Sequence, residues 1–297
     1  MEPAVDAGPP LIHAEVADPV QARLLEEIGG CHWPDPLQCL GPEASRLYLG
    51  DGDLLVSPDL AQARLTTNPA RPLSLDGAFG YALAHAFLQK GGLVIHAAAV
   101  ELEGTALLVI GPARSGKSTL TAALLACGGR VVSDDALLLG LDPGGRFRVA
   151  GLRPYLQFRR GTPSLLDGPL QERLQRHVID GEARWRLYRD RAPTRFLDIA
   201  APQRLLLLTP DPGGSTTLDA PESRAGALLE VSAASLFKFG PLYTLSPTLA
   251  TRAFHALSRL CNDLPVAKVR LGEDLLRAPE RVARELMAGR HPLDPGQ

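Results

Sequence analysis

Residues 110–120 read "IGPARSGKSTL", and the interpretation of this stretch decides the fold. From Gly111 to Ser118 it fits the pattern G-x-x-x-x-G-K-[ST], set between an apolar run and a helix-forming run. Glycines let the backbone turn its N–H groups inward, and a helix opening at Lys117 points its positive end at the same place, so the pattern suits phosphate. Lys117 is spaced to reach β- and γ-phosphates, and the Ser118 hydroxyl to hold Mg²⁺. The expected nucleotide-binding set is therefore Gly111, Pro112, Ala113, Arg114, Ser115, Gly116, Lys117, Ser118 and Thr119. The plain alternative is a strand-to-helix turn with incidental glycines.

On either side the pattern holds. "GLVIHAAAV" (92–100) and "TALLVIG" (105–111) are nearly continuous apolar runs, as in strands covered on both faces. The four residues between them are short enough for a hairpin. With its turn at Leu102-Glu103 or Glu103-Gly104, paired residue numbers sum to about 205–207, which sets His96 beside positions 109–111 at the mouth of the loop. A buried histidine in a strand is otherwise an ordinary core residue. Beyond the loop, "KSTLTAALLACGG" (117–129) predicts a helix stopped by Gly128-Gly129. "RVVS" (130–133) predicts a strand beside the loop's own strand, ending at Asp134-Asp135. Two carboxylates beside a magnesium nucleotide divide the work: one holds the metal and the other accepts the proton of a substrate hydroxyl. A pair of surface aspartates in a turn is the competing reading.

The rest of the chain supplies context. "ALLLG" and "FRVAG", separated by Pro143-Gly144-Gly145, read as strands around a turn. Residues 150–200 are arginine-rich and give no clear element pattern. Arg153, Arg159, Arg160, Arg184, Arg186, Arg189 and Arg191 could clamp phosphate or an acidic peptide, or form a solvated face. "RLLLLTPD" reads as a buried strand whose Asp211 could be a distant Walker-B-type acid, although Pro210 and Pro212 on either side fit a plain turn better. A helix follows from Ser246-Pro247, then the strand "VAKVRLG" and a helix opening at Pro279. Toward the N-terminus, "RLYLGDGDLLVS" (46–57) suggests a hairpin and 78–90 a helix. Alternating strands and helices predict an α/β protein, with residues 1–75 as an accessory region and 76–297 as the loop-bearing domain.

Composition narrows the class. At 297 residues with 45% hydrophobic content and a net charge of −2, the chain lacks the basic face that nucleic acid requires. No apolar stretch reaches membrane-span length, and the acidic, proline-rich start "MEPAVDAGPP" resembles no secretion signal. No membrane association is expected. The four cysteines lack CxxC spacing, so a reducing cytoplasm is expected, with Cys31, His32 and Cys39 an incomplete zinc set.

The order histidine strand, short glycine turn, phosphate loop, helix, strand ending in two aspartates resembles the HPr kinase/phosphorylase family over residues 90–140. Here it is carried by His96, Gly104, Gly111 to Ser118 and Asp134-Asp135. A fainter likeness continues through "YTLSPTLATRAFHALSRLCNDLPVAKVRLG". The resemblance implies a P-loop fold of the HPr kinase and phosphoenolpyruvate-carboxykinase type with a mixed sheet. It also implies ATP and Mg²⁺ as cofactors and phosphoryl transfer to a serine hydroxyl. It would make Asp134 the base, put Asp135 with Ser118 on the metal, let Lys117 steady the transferring phosphate, and match His96 to the family's histidine. Ala113, Arg114 and Thr119 stand where that family usually has serine, glycine and glutamate, and its glycine-rich segment after the aspartates has no match. Phosphorylase activity and recognition of the HPr carrier are therefore not implied.

The expectation is a serine kinase acting on a protein, peptide or small-molecule acceptor, with homo-oligomerisation left open. The rival is a non-catalytic ATP sensor that signals to a partner. An ATPase motor fits less well, since no arginine-finger segment stands out.

Overall fold

The computed structural model describes strands 45–48, 52–56 and 63–67, and residues 92–179, 181–236 and 247–288. The helix expected at 78–90 and the Cys31, His32 and Cys39 set lie outside the described residues. The N-terminal hairpin is present: β1 (Ser45–Tyr48) and β2 (Gly52–Val56) pair with Tyr48 opposite Asp53, and β3 (Ala63–Thr67) completes an antiparallel sheet.

The loop's strand explains why its sequence shows no polar face. β6 (Thr105–Ile110) sends Leu107 and Val109 into one core and Ala106, Leu108 and Ile110 into another. Both faces are covered, as an uninterrupted apolar run requires. The same division holds for β14 (Arg204–Pro210), with Leu206 and Leu208 on one side and Leu205 and Leu207 on the other. Full burial of each such leucine contributes about 1.5–3 kcal/mol.

These strands are the centre of a six-stranded mixed sheet. With β5 (Ala97–Leu102), β7 (Arg130–Ser133), β15 (Thr217–Asp219) and β16 (Val266–Leu271), its order is β15-β16-β14-β6-β5-β7. β6, β14 and β16 run parallel; β5, β7 and β15 are antiparallel to their neighbours. One expectation is corrected here. β7 does not lie beside the loop strand, because β5 folds back as a hairpin and takes that place.

The hairpin register pairs Ala97 with Ile110 and Leu102 with Thr105. Glu103 and Gly104 form the turn with φ of 51° and 77°, the left-handed pair of a type I′ turn. A second correction concerns "GLVIHAAAV". It is two strands in two sheets, broken at His96. β4 (Leu93–Ile95) pairs with β8 (Leu137–Leu141), which continues to β9 (Phe147–Gly151) and β13 (Ile199–Ala200). Periodicity cannot reveal that break, because both halves are buried on both faces.

Helix α1 (Lys117–Ala126) packs on one face of the large sheet with α4 (Pro279–Ala288). Helices α2 (Arg224–Leu236) and α3 (Pro247–Asp263) cover the other face with the four-stranded sheet. The unassigned stretch after residue 150 forms a third small sheet, in the order β10 (Tyr155–Phe158), β12 (Glu182–Tyr188), β11 (Gln175–Ile179). Leu156, Phe158 and Leu187 anchor it to the α1 side. No helix among the described residues is long and apolar enough to cross a membrane.

Candidate functional site

The parallel strands β6 and β14 end at the same edge of the sheet, and β5 and β7 bring their own termini to it. The start of β5, the loop after β6 and the end of β7 therefore meet at the end of β6. Together with β10 and β12 they surround a cleft of about 780 Å³. His96, Ala113, Arg114, Ser115, Gly116, Lys117, Ser118, Thr119, Asp134 and Asp135 all line it. Gly111 and Pro112 turn to the back of the loop and line an adjoining cavity instead.

The loop is built by two glycines and one lysine. Gly116 caps α1 with φ 96°, a left-handed conformation costly for any side chain, and a Cβ there would lie 2.5 Å from Leu271 Cδ2. At Gly111 a Cβ would come within 2.8 Å of the Leu208 carbonyl oxygen, so only glycine lets the loop leave β6 against β14. Lys117 is 6% exposed, and its Nζ donates to the carbonyls of Gly111 at 2.7 Å and Pro112 at 3.0 Å. The N-terminus of α1 has no side-chain cap, so its first-turn N–H groups keep the orphan donors and positive potential that attract an anion. The Ser115 hydroxyl is buried in the same loop without a hydrogen-bond partner. Arg114 adopts φ 67°. Its side chain is exposed and stands at the wall of the cleft.

Asp134 and Asp135 are adjacent but differently housed. Asp134 is 3% exposed, and its Oδ2 accepts the backbone N–H of Gln157 at 3.2 Å. Burial, and then the charge of Asp135, push its pKa up from 3.8 to about 7; the Gln157 N–H, the Arg153 charge and a hydrogen bond from Ser118 pull the other way. Asp135 is held by charge instead: Arg153 Nη1 lies 2.6 Å from its Oδ2, and His96 Nδ1 lies 3.2 Å from its Oδ1. His96 Nδ1 is also 2.8 Å from the Asp135 carbonyl oxygen. A carbonyl only accepts, so Nδ1 carries the proton. The break in the strand at His96 turns its ring toward Asp135, and its backbone N–H is anchored to Ser235 O at 2.7 Å.

Sequence reasoning missed part of the far wall. Gln157, Thr162 and Glu182 line the cleft with Arg153 and Arg159. Of the seven arginines singled out, these two stand in the wall. Arg184 binds Glu182, and Arg186 sits 4.1 Å over the Tyr155 ring. The alternation in "YLQF", with Leu156 and Phe158 buried, was the available signal that Gln157 faces away from the core. Asp211 remains a turn residue, its N–H bonded to Leu271 O and its carbonyl accepting from Gly214.

The residues fit a magnesium nucleotide. Mg²⁺ is commonly held by one or two carboxylates together with substrate phosphates. Ser118, Asp134 and Asp135 offer hard oxygen donors of that kind beside the uncapped helix. No self-sufficient cluster of three or more His, Cys, Asp or Glu occurs among the described residues.

No family model matches the chain, and no curated protein matches it. Among solved structures, the Hpr(Ser) kinase/phosphatase from Coxiella burnetii aligns over 66% of this chain and 99% of its own, at 14% identity and a TM-score of 0.31. Those values describe a distant likeness of fold and carry no information about chemistry.

Proposed function

We propose that the chain is an ATP- and Mg²⁺-dependent kinase that phosphorylates a serine-type hydroxyl on a protein, peptide or small molecule. One observation carries this reading: Lys117, Ser118, Asp134, Asp135 and His96, drawn from three separate segments, line a single cleft. Phosphoryl transfer asks little covalent chemistry of a protein and much positioning and charge neutralisation, and this cleft is equipped for both.

The nucleotide, bound with its metal, would supply the phosphoryl group and the charge that activates it. The backbone N–H groups of residues 113–119 and Lys117 would bind the phosphates. Ser118 and Asp135 would hold the metal. Asp134, on the floor of the cleft, would take the proton from the acceptor hydroxyl, a role that requires a carboxylate close to the reacting oxygen. His96 would orient Asp135 by donating from Nδ1 to both its carbonyl and its carboxylate. Arg153 neutralises Asp135 and would hand that carboxylate to the metal.

A non-catalytic sensor needs the phosphate loop and a metal acid but no base. Asp134→Asn separates the two. For a kinase, ATP affinity measured by calorimetry should stay within about threefold, while transfer falls by about 10²–10⁴. If neither binding nor downstream output depends on Asp134, the sensor reading replaces the kinase.

A further inference from the structure

A second cavity, of about 530 Å³, lies behind the phosphate loop. Gly111 to Ala113 form one wall, Leu207 to Thr209 at the end of β14 another, and Glu230, Ala233 and Ala234 of α2 the third. Its volume falls in the range of small-molecule sites, about 300–1,000 Å³. Only Thr209 and Glu230 present polar side chains to it. It meets the charged cleft at Ala113, which lines both.

Sheet order gives the two spaces a direction. On one side of β6 lie β5 and β7, carrying His96, Asp134 and Asp135; on the other lies β14, whose end forms the apolar cavity. A phosphoryl group in transfer must sit at the aspartates and Lys117. The remainder of its donor then runs away from β7, across the loop, toward β14. A ligand that fits both spaces is polyanionic at one end and flat and apolar at the other.

We infer that the cavity between β14 and α2 holds the base of the nucleotide, and that it favours a base bearing an exocyclic amino group. Glu230 sets that preference. Its carboxylate accepts hydrogen bonds and cannot donate, and Lys268 Nζ holds it in place, 2.5 Å from Oε1. An exocyclic amino group presents the donor such a carboxylate requires, whereas uracil's edge donor, N3–H, is flanked by two carbonyl oxygens that repel a carboxylate. Leu207, Ala233 and Ala234 supply apolar surface against which a planar ring would pack. The inference rests on the proposed function and adds to it a recognition subsite made of named residues.

The experiment compares binding of Mg²⁺–ATP, Mg²⁺–UTP and inorganic tripolyphosphate by calorimetry, on the intact chain and on two variants. Ala233→Trp fills the mouth of the cavity from an exposed position on α2; Glu230→Gln removes the carboxylate and keeps the helix. The wild-type chain should bind ATP more tightly than tripolyphosphate and more tightly than UTP. Ala233→Trp should weaken ATP at least tenfold and leave tripolyphosphate within twofold. Glu230→Gln should narrow the gap between ATP and UTP. If Ala233→Trp leaves ATP affinity unchanged, the base lies elsewhere and the inference is overturned, which includes the case where the cavity takes the acceptor. Equal loss of ATP and tripolyphosphate would mean the substitution acts through the loop, and would overturn it too. If the wild-type chain binds tripolyphosphate but gains nothing from a base, the subsite is absent while the phosphate site stands. If it binds none of the three, the proposed function itself falls.

Discussion

The two cavities that meet at Ala113 have opposite chemistry although one loop builds a wall of each. The larger is lined by lysine, arginines, a histidine and three carboxylates; the smaller mostly by leucines, alanines and the back of the loop, with Thr209 and Glu230 its polar side chains. The sheet produces this division. β6 and β14 bury both faces up to Ile110 and Leu208, so the space at their tips is mostly apolar. β5 and β7 end at a strand break and at an aspartate pair, so the space at their tips is charged. Charge is concentrated where a reaction would occur, and where a ring would be recognised it is limited to the single carboxylate of Glu230.

The largest effect that would sharpen this contrast concerns Asp134 in the ligand-free protein. Its pKa is raised to about 7 by burial. The stabilisation from keeping its proton is therefore complete below the ordinary value of 3.8, declines as pH rises, and is gone once pH passes about 7. The full span corresponds to up to about 4 kcal/mol. Asp134→Asn should remove most of this slope and leave the variant more stable than wild type at pH 8, read from urea unfolding at pH 4, 6 and 8. Parallel pH profiles for the two proteins would show that the buried wall of the cleft does not penalise charge.

A smaller effect tests the other carboxylate. Arg153 and Asp135 form a partly exposed pair 2.6 Å apart, a class worth about 0.2–1 kcal/mol. If Asp135 serves the metal, Arg153→Gln should raise Mg²⁺ affinity in the presence of ATP by about two- to fivefold. A decrease would mean that the guanidinium instead contacts the phosphates.

The smallest effect belongs to the loop itself. Arg114 holds a left-handed backbone that suits glycine, and its side chain is exposed. Arg114→Gly should stabilise the fold by up to about 1 kcal/mol with ATP affinity unchanged. Weaker ATP binding would place the guanidinium on the nucleotide.

Much of this architecture was legible because its signals are local. Gly111 to Ser118 fix the turn and the helix start through their own backbone requirements, and the Glu103-Gly104 turn sets the register that brings His96 to the mouth of the loop. The break at His96 was hidden because residues 93–95 and 97–100 on either side of it are apolar and buried alike, and a single histidine in such a run does not by itself mark the end of a sheet. The position of β7 was misread because strand order depends on a hairpin folding back, which hydrophobicity does not encode. Gln157, Thr162 and Glu182 reach the cleft only through the pairing of β10 with β12. In residues 155–188 arginines alternate with short apolar pairs, and that gave no strand signal of usable length.

The central claim is tested most directly by following the γ-phosphoryl group. The purified chain is incubated with γ-labelled ATP and Mg²⁺ against hydroxyl-bearing peptides, proteins and small molecules, and the labelled products are identified by mass spectrometry. The account predicts label in an acid-stable phosphate ester on a serine-type hydroxyl, lost with Asp134→Asn while ATP still binds. Tight ATP binding with no labelled acceptor across the panel, in wild type and variant alike, would contradict it and identify the cleft as a nucleotide sensor.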